Sequence, residues 1–192
     1  MPLKTYDTQS DIRSQMSFTR YYETLLGLTE RLINSHDVMR QEPESLHTVD
    51  DLLALLGDAP FPRPAFRPSD VARVRSIREH LRHLFLDDSL EGALNLALQN
   101  VQTRIRVASP GGQGLLAVPA ETSASRQVYA ASLIGLAWAF EQYGSERFRT
   151  CQATPCEDVF VDTTKNGQRR FCGPRCANRA HSRAFRERES VT

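Results

Sequence analysis

The residues of this chain best suited to chemistry are its four cysteines, Cys151, Cys156, Cys172 and Cys176, with none before position 151. They form two pairs, CQATPC at 151–156 and CGPRC at 172–176, with fifteen residues between them. Four thiolates at tetrahedral corners, ~2.3 Å from the metal, are the closed shell of a structural zinc site. Such a shell leaves no position for water, so the chemistry implied is cross-linking rather than catalysis. In a reducing compartment clustered cysteines bind metal more readily than they form disulfides. Free buried thiols and a redox pair are the alternatives. The expected cofactor is one structural Zn2+.

Two ligands must come from each of two chain reversals. Pro155 favours a turn in the first pair, and Gly173 with Pro174 marks a turn running into a helix in the second. Between them VFVD at 159–162 reads as a strand, Asn166-Gly167 as a hairpin turn and QRRF at 168–171 as the return strand. A knuckle, a hairpin and a helix with the last ligand in its first turn make a treble-clef-like arrangement. Amides at that helix start can stabilise thiolate charge.

Beyond Cys176 the sequence ANRAHSRAFRER continues as a helix, with Arg175, Arg179, Arg183 and Arg186 near one face and Ser182 beside them. Lys165, Arg169 and Arg170 lie on the predicted hairpin. Arginine forks suit phosphate oxygens and the guanine edge. The candidate DNA-contacting set is therefore Lys165, Arg169, Arg170, Arg175, Asn178, Arg179, His181, Ser182, Arg183 and Arg186. His181 is a candidate phosphate contact, with metal ligation as its alternative role. Residues 147–192 carry 10 Lys and Arg against 5 Asp and Glu, whereas residues 1–146 carry 14 against 18. A basic segment on an acidic body points to a polyanion as partner. A solvated tail, or one docked on an acidic protein surface, is the competing reading.

These residues need a scaffold. A helical pattern runs from Phe18 to Asp37, after a polar start over residues 1–17 that reads as flexible. A short helix fits Val49 to Leu56, with Thr48 as N-cap and Gly57 just past its end. Four prolines within 58–68 predict an extended connector, and Ser69 is the expected N-cap of a helix over Asp70 to Leu86. The arginines of that helix read as a solvated face. A helix over Leu90 to Gln99 follows, then a β-hairpin from TRIRV at 103–107 and LLAV at 115–118, with SPGG at 109–112 as its turn. Ser125 to Tyr143 is a strongly apolar helix. Its Ala130, Ala131, Gly135, Ala137 and Ala139 permit close approach of neighbours, so it is expected at the centre of the body. Core packing is expected at Trp138 and Phe140, although a pocket beside them is conceivable.

The fold class expected is thus mainly α: a helical N-terminal domain with one β-hairpin, plus a C-terminal treble-clef-like four-cysteine zinc finger. The boundaries expected are 1–17, 18–146 and 147–192. With 40 % hydrophobic and 24 % charged residues, the chain has material for one substantial core. No apolar stretch approaches the ~20 residues of a membrane span, and the polar start lacks a signal peptide's apolar stretch, so a cytoplasmic location is expected. No phosphate loop, nucleophile elbow or open metal site is present, and the histidines are scattered, so an enzyme is not expected.

The run CQATPC, then FVDTTKNGQRRFC, then CANRAHSRAFR resembles the CGNR-type zinc finger of bacterial stress-induced transcription regulators. Cys176-Ala177-Asn178-Arg179 stands where the family has Cys-Gly-Asn-Arg. Upstream, LEGALNLAL at 90–98, the hairpin and the alanine-rich helix resemble the family's ABATE domain, while YYETLLGL at 21–28 stands where a LeuAspPheValAsnThr-like motif is expected. The resemblance implies a DNA-binding regulator, with the four cysteines as ligands and Asn178 and Arg179 as a signature pair. Asn178 either reads a base or bonds back to the knuckle. The body would then dimerise or sense a small-molecule effector, and the location would be nucleoid-associated. The rival reading is an adaptor whose basic module docks on RNA polymerase or a sigma factor.

Overall fold

The structure, a computed structural model, describes residues 18–107 and 115–189. The polar start at 1–17 and the turn residues 109–112 lie outside them.

Helix α1 (Phe18–Ile33) buries two adjoining stripes, Tyr21, Leu25, Leu28 and Leu32 beside Tyr22, Leu26, Thr29 and Ile33. Leu25, Leu28 and Leu32 are wholly buried, each worth roughly 1.5–3 kcal/mol of transfer free energy. The helix stops four residues before the expected Asp37 because polar groups divert the chain. Ser35 Oγ donates back to the Leu32 carbonyl at 2.7 Å, and the Ser35 carbonyl accepts from both Ser45 N–H and Ser45 Oγ.

Helix α2 (Val49–Leu56) has the expected cap. Asp51 N–H donates to Thr48 Oγ1, Thr48 N–H donates to Asp51 Oδ2, and Gly57 follows at φ 51°. Helix α3 (Pro68–Phe85) starts one residue before the expected cap, Ser69. Pro68 takes the first turn, and the Asp70 carboxylate accepts the Arg67 N–H at 2.8 Å. Its arginines are not all solvated. Arg78 is buried and bonds Glu44 through both Nη atoms, at 2.8 and 2.9 Å.

After α4 (Leu90–Leu98), strand β1 (Thr103–Val107) pairs antiparallel with β2 (Leu115–Pro119), Ile105 opposite Ala117. Helix α5 (Ala124–Tyr143) packs on α1, α3, α4 and β2. Its small residues act as expected: Ala130, Ala131, Gly135 and Ala139 are buried, and α1 runs against Gly135. Trp138 stacks on Tyr22 with centroids 5.8 Å apart, which makes it part of the core.

Past Gly144 (φ 78°) and a 3-10 turn at Ser145–Arg147, β3 (Phe148–Thr150) pairs antiparallel with β4 (Val159–Val161). Helix α6 (Pro174–Glu189) completes the chain. The expected hairpin between 159–162 and 168–171 does not form. VFV pairs with the upstream FRT, so the first cysteine pair lies inside the hairpin loop. Val159 and Val161 face the main core, while Cys151, Ala153, Cys156 and Cys176 form a second small cluster.

Candidate metal centre and basic helix

The knuckle is shaped by its own backbone. Cys151 N–H donates to the Asp158 carbonyl at 2.8 Å, and Cys156 N–H to the Ala153 carbonyl at 2.9 Å. The return segment is tied alongside by Gln152 N–H donating to the Arg170 carbonyl and by Arg170 Nε donating to Gln152 Oε1. Cys172 lies just before α6 and Cys176 in its first turn.

All four sulfurs lie within 4.8 Å of one another, with 3.8 Å between Cys156 and Cys172 and 3.5 Å between Cys172 and Cys176. These separations exceed a disulfide bond and lie near the ~3.8 Å edge of a tetrahedron of thiolates around zinc. The residues fit the metal. Burial pushes the Cys156 thiol up to about 12 and the Cys172 thiol higher still, with Asp158 adding to both. Burial also acts upward on Cys151, but the Cys172 N–H aimed at its sulfur reverses that and lowers it. Such a crowd of sulfurs ionises together only around a cation, and an all-sulfur tetrahedral donor set selects zinc.

Beyond the knuckle a buried carboxylate does the folding. Asp162, with no exposure, accepts the N–H groups of Thr164 and Arg169 at 3.0 and 2.8 Å. The loop turns at Thr164–Gly167, where Gly167 N–H donates to the Thr164 carbonyl. Gly167, at φ 59°, leaves room for the Arg147 guanidinium, which donates to the Asp162 and Thr164 carbonyls. On the other side of β4, α1 supplies a substitute strand edge. Asn34 exchanges two 2.8 Å bonds with the Val159 backbone, and Glu30 Oε1 accepts the Val161 N–H at 2.7 Å. Asp162, Asn34 and Glu30 were not among the candidates. Only Asp162 carried a local signal, an aspartate before two threonines that favours an Asx turn.

The basic candidates divide in two. Arg169 lies over the Phe160 ring at 4.3 Å and donates to the Phe171 and Cys172 carbonyls. Arg179 donates to the Ala153 carbonyl at 2.7 Å and lies 3.5 Å from the Cys176 sulfur, with its Nε buried. Both therefore bind the finger's own backbone. Asn178, the candidate for bonding back to the knuckle, is exposed; its neighbour Arg179 makes that bond. Lys165, Arg170, Arg175, His181, Ser182, Arg183 and Arg186 are exposed, His181 with its ring edge-on to Phe171. Every residue from 181 to 189 is exposed, so the second half of α6 stands clear of the described residues.

Among the described residues no helix is long and apolar enough to cross a membrane. No curated protein matches the chain. Residues 147–189 match the CGNR zinc finger family, and residues 28–140, more than half of the chain, match ABATE, described as "Putative stress-induced transcription regulator". Neither description is of an enzyme. With its helical body and its four-cysteine cluster each falling within one of these matches, the chain belongs to the ABATE family of transcription regulators and ends in a CGNR zinc finger.

Proposed function

We propose that this regulator binds double-stranded DNA through α6, non-catalytically and in the cytoplasm at the nucleoid. The observation that carries the reading is a helix anchored at one end and bare at the other. Its first turn holds Cys176 in the metal cluster and Arg179 on the knuckle, while residues 181–189 extend ~13 Å with every position exposed. A helix polar on all sides and clear of its own core fits the DNA major groove, which is ~12 Å wide.

Helical spacing aligns Arg175, Asn178, Ser182 and Arg186 along one exposed line, with Arg183 at its margin. Asn178 and Arg175 are the base-reading candidates of that line, since asparagine pairs with adenine and arginine with guanine. Arg183, Arg186, Lys165, Arg170, His181 and Ser182 meet phosphates. Arg169 and Arg179 act indirectly, by fixing where the helix points. The finger and body form residues 147–192 and 18–146, and two copies bind together as a homodimer that doubles the few contacts of one finger. The body takes a small-molecule effector.

Binding of duplex DNA by the zinc-loaded chain, titrated across salt concentrations, tests this. The Arg175→Ala/Arg183→Ala/Arg186→Ala variant should reduce the slope of log K against log salt by about two to three units. Unchanged slope and affinity would remove α6 from the interface. Loss of all DNA affinity at low salt, with co-purification of RNA polymerase or a sigma factor, would favour the adaptor reading.

A further inference from the structure

The two edges of the β1–β2 hairpin are treated differently. Tyr22 Oη donates to the Leu115 carbonyl and accepts the Ala117 N–H, and Tyr21 Oη donates to the Ala117 carbonyl. The outer edge of β2 is thus closed by hydroxyls from α1. Because the Ala117 backbone groups point outward, Ile105 and Ala117 are a non-hydrogen-bonded pair, and the N–H and carbonyl groups of Thr103, Ile105 and Val107 point away from β2. Among the described residues no strand pairs with them, and all five residues of β1 are exposed.

The side chains invert the usual arrangement of an edge strand. Arg104 and Arg106 share a face with Val118 and Leu116, which pack on the core. The solvent face carries Ile105, Val107 and Leu115, at 63, 82 and 60 % exposure. Among the described residues neither Arg104 nor Arg106 is given a carboxylate partner. Edge strands are commonly blunted by charge, yet here the charge sits beside the core and the exposed face is apolar.

We infer that β1 is a docking edge for an extended acidic segment of a partner protein, which adds as a third strand with carboxylates opposite Arg104 and Arg106 and apolar side chains beside Ile105 and Val107. A second copy fits poorly. Antiparallel pairing of β1 with itself about Ile105 sets Arg104 opposite Arg106, a like-charge cross-strand pair. The edge is separate from the finger: α1 holds the hairpin through Tyr21 and Tyr22 and holds β4 through Glu30 and Asn34.

A fluorescent peptide alternating Glu and Val, added to the zinc-loaded full chain and followed by anisotropy, tests the edge. It should bind at least about tenfold more tightly than a Lys/Val peptide of the same length. N-methylation along its pairing edge should abolish binding, and Arg104→Glu/Arg106→Glu should reverse the charge preference. The Arg175→Ala/Arg183→Ala/Arg186→Ala variant should bind the peptide as the parent does. Equal binding of the N-methylated peptide, or loss of binding in the α6 variant, would overturn the proposal. So would a concentration-dependent dimer that Ile105→Lys dissociates and the peptide does not.

Discussion

Arg179 Nη2 lies 2.7 Å from the carbonyl oxygen of Ala153, so a residue of the basic helix is bonded into the metal knuckle. Partly buried, charge-assisted bonds of this kind contribute roughly 1.5–3 kcal/mol. Arg179→Ala should lower the thermal midpoint and hasten transfer of zinc to a chromogenic chelator. Lysine should not restore either property, because a point charge cannot reproduce the guanidinium fork. Arg183, whose partner Glu187 is equally exposed, should give no stability change on conversion to alanine. If Arg179→Ala melted like the parent while losing DNA affinity, the arginine would be a phosphate contact instead.

Metal removal should divide the finger. Val159 and Val161 are buried in the main core, and Asn34 and Glu30 hold their backbone without help from the metal. Cys176 is the one buried residue of α6, so that helix depends on the cluster for its docking. Chelation should abolish hydrogen-exchange protection over 177–186 while leaving the Val159 and Val161 amides protected. Equal loss at both places would mean that β4, too, is folded by the metal.

What the sequence makes legible follows from range. The cysteines could be read because ligand chemistry and spacing are local, and the centrality of α5 because small residues have one packing use. The partner of VFV could not. Asn166-Gly167 signals a nearby hairpin, but the Asp162 carboxylate takes the Thr164 and Arg169 amides that a return strand would use, and the strand finds FRT upstream. Arg179 was grouped with Arg175 because four residues return a helix to nearly the same face. The residual rotation of about 40° is enough to turn one towards the knuckle while the other stays exposed. Asn34 reaches across 125 residues to the Val159 backbone, a bond that no periodicity signals.

Gly135 offers a sharper test of the body. A Cβ there would lie 2.7 Å from the backbone carbon of Leu25 and the nitrogen of Leu26, and neither can rotate away. Gly135→Ala should therefore force α1 from α5 and destabilise the protein by roughly 1–3 kcal/mol, despite alanine's better helix propensity. Gly92 in α4 has nothing within 4 Å of its added carbon, so Gly92→Ala should stabilise by up to about 1 kcal/mol. Chemical denaturation of both variants measures the contrast; equal effects would mean that the helices yield at Gly135.

Glu44 ties the loop after α1 to α3, and its titration gives that tie a signature. Burial alone would raise its carboxyl, but the Arg78 bonds, the Leu46 N–H and the charges of Arg78 and Arg75 bring it down to about 2. A carboxyl lowered in the folded state contributes stability that is fully present above its unfolded value, near 4.5, and is lost as pH falls towards 2. Glu30 runs the other way: burial raises its carboxyl, so its contribution fades as pH rises through that raised value. Comparing Glu44→Gln with the parent isolates Glu44, since Glu30 and acid release of metal act on both chains. The variant should be less stable by about 3 kcal/mol at neutral pH, because Arg78 stays buried with its main partner neutralised. That deficit should shrink between pH 4.5 and 2 in urea titrations. A deficit that stayed constant across this window would show that Glu44 holds the loop by shape rather than by charge.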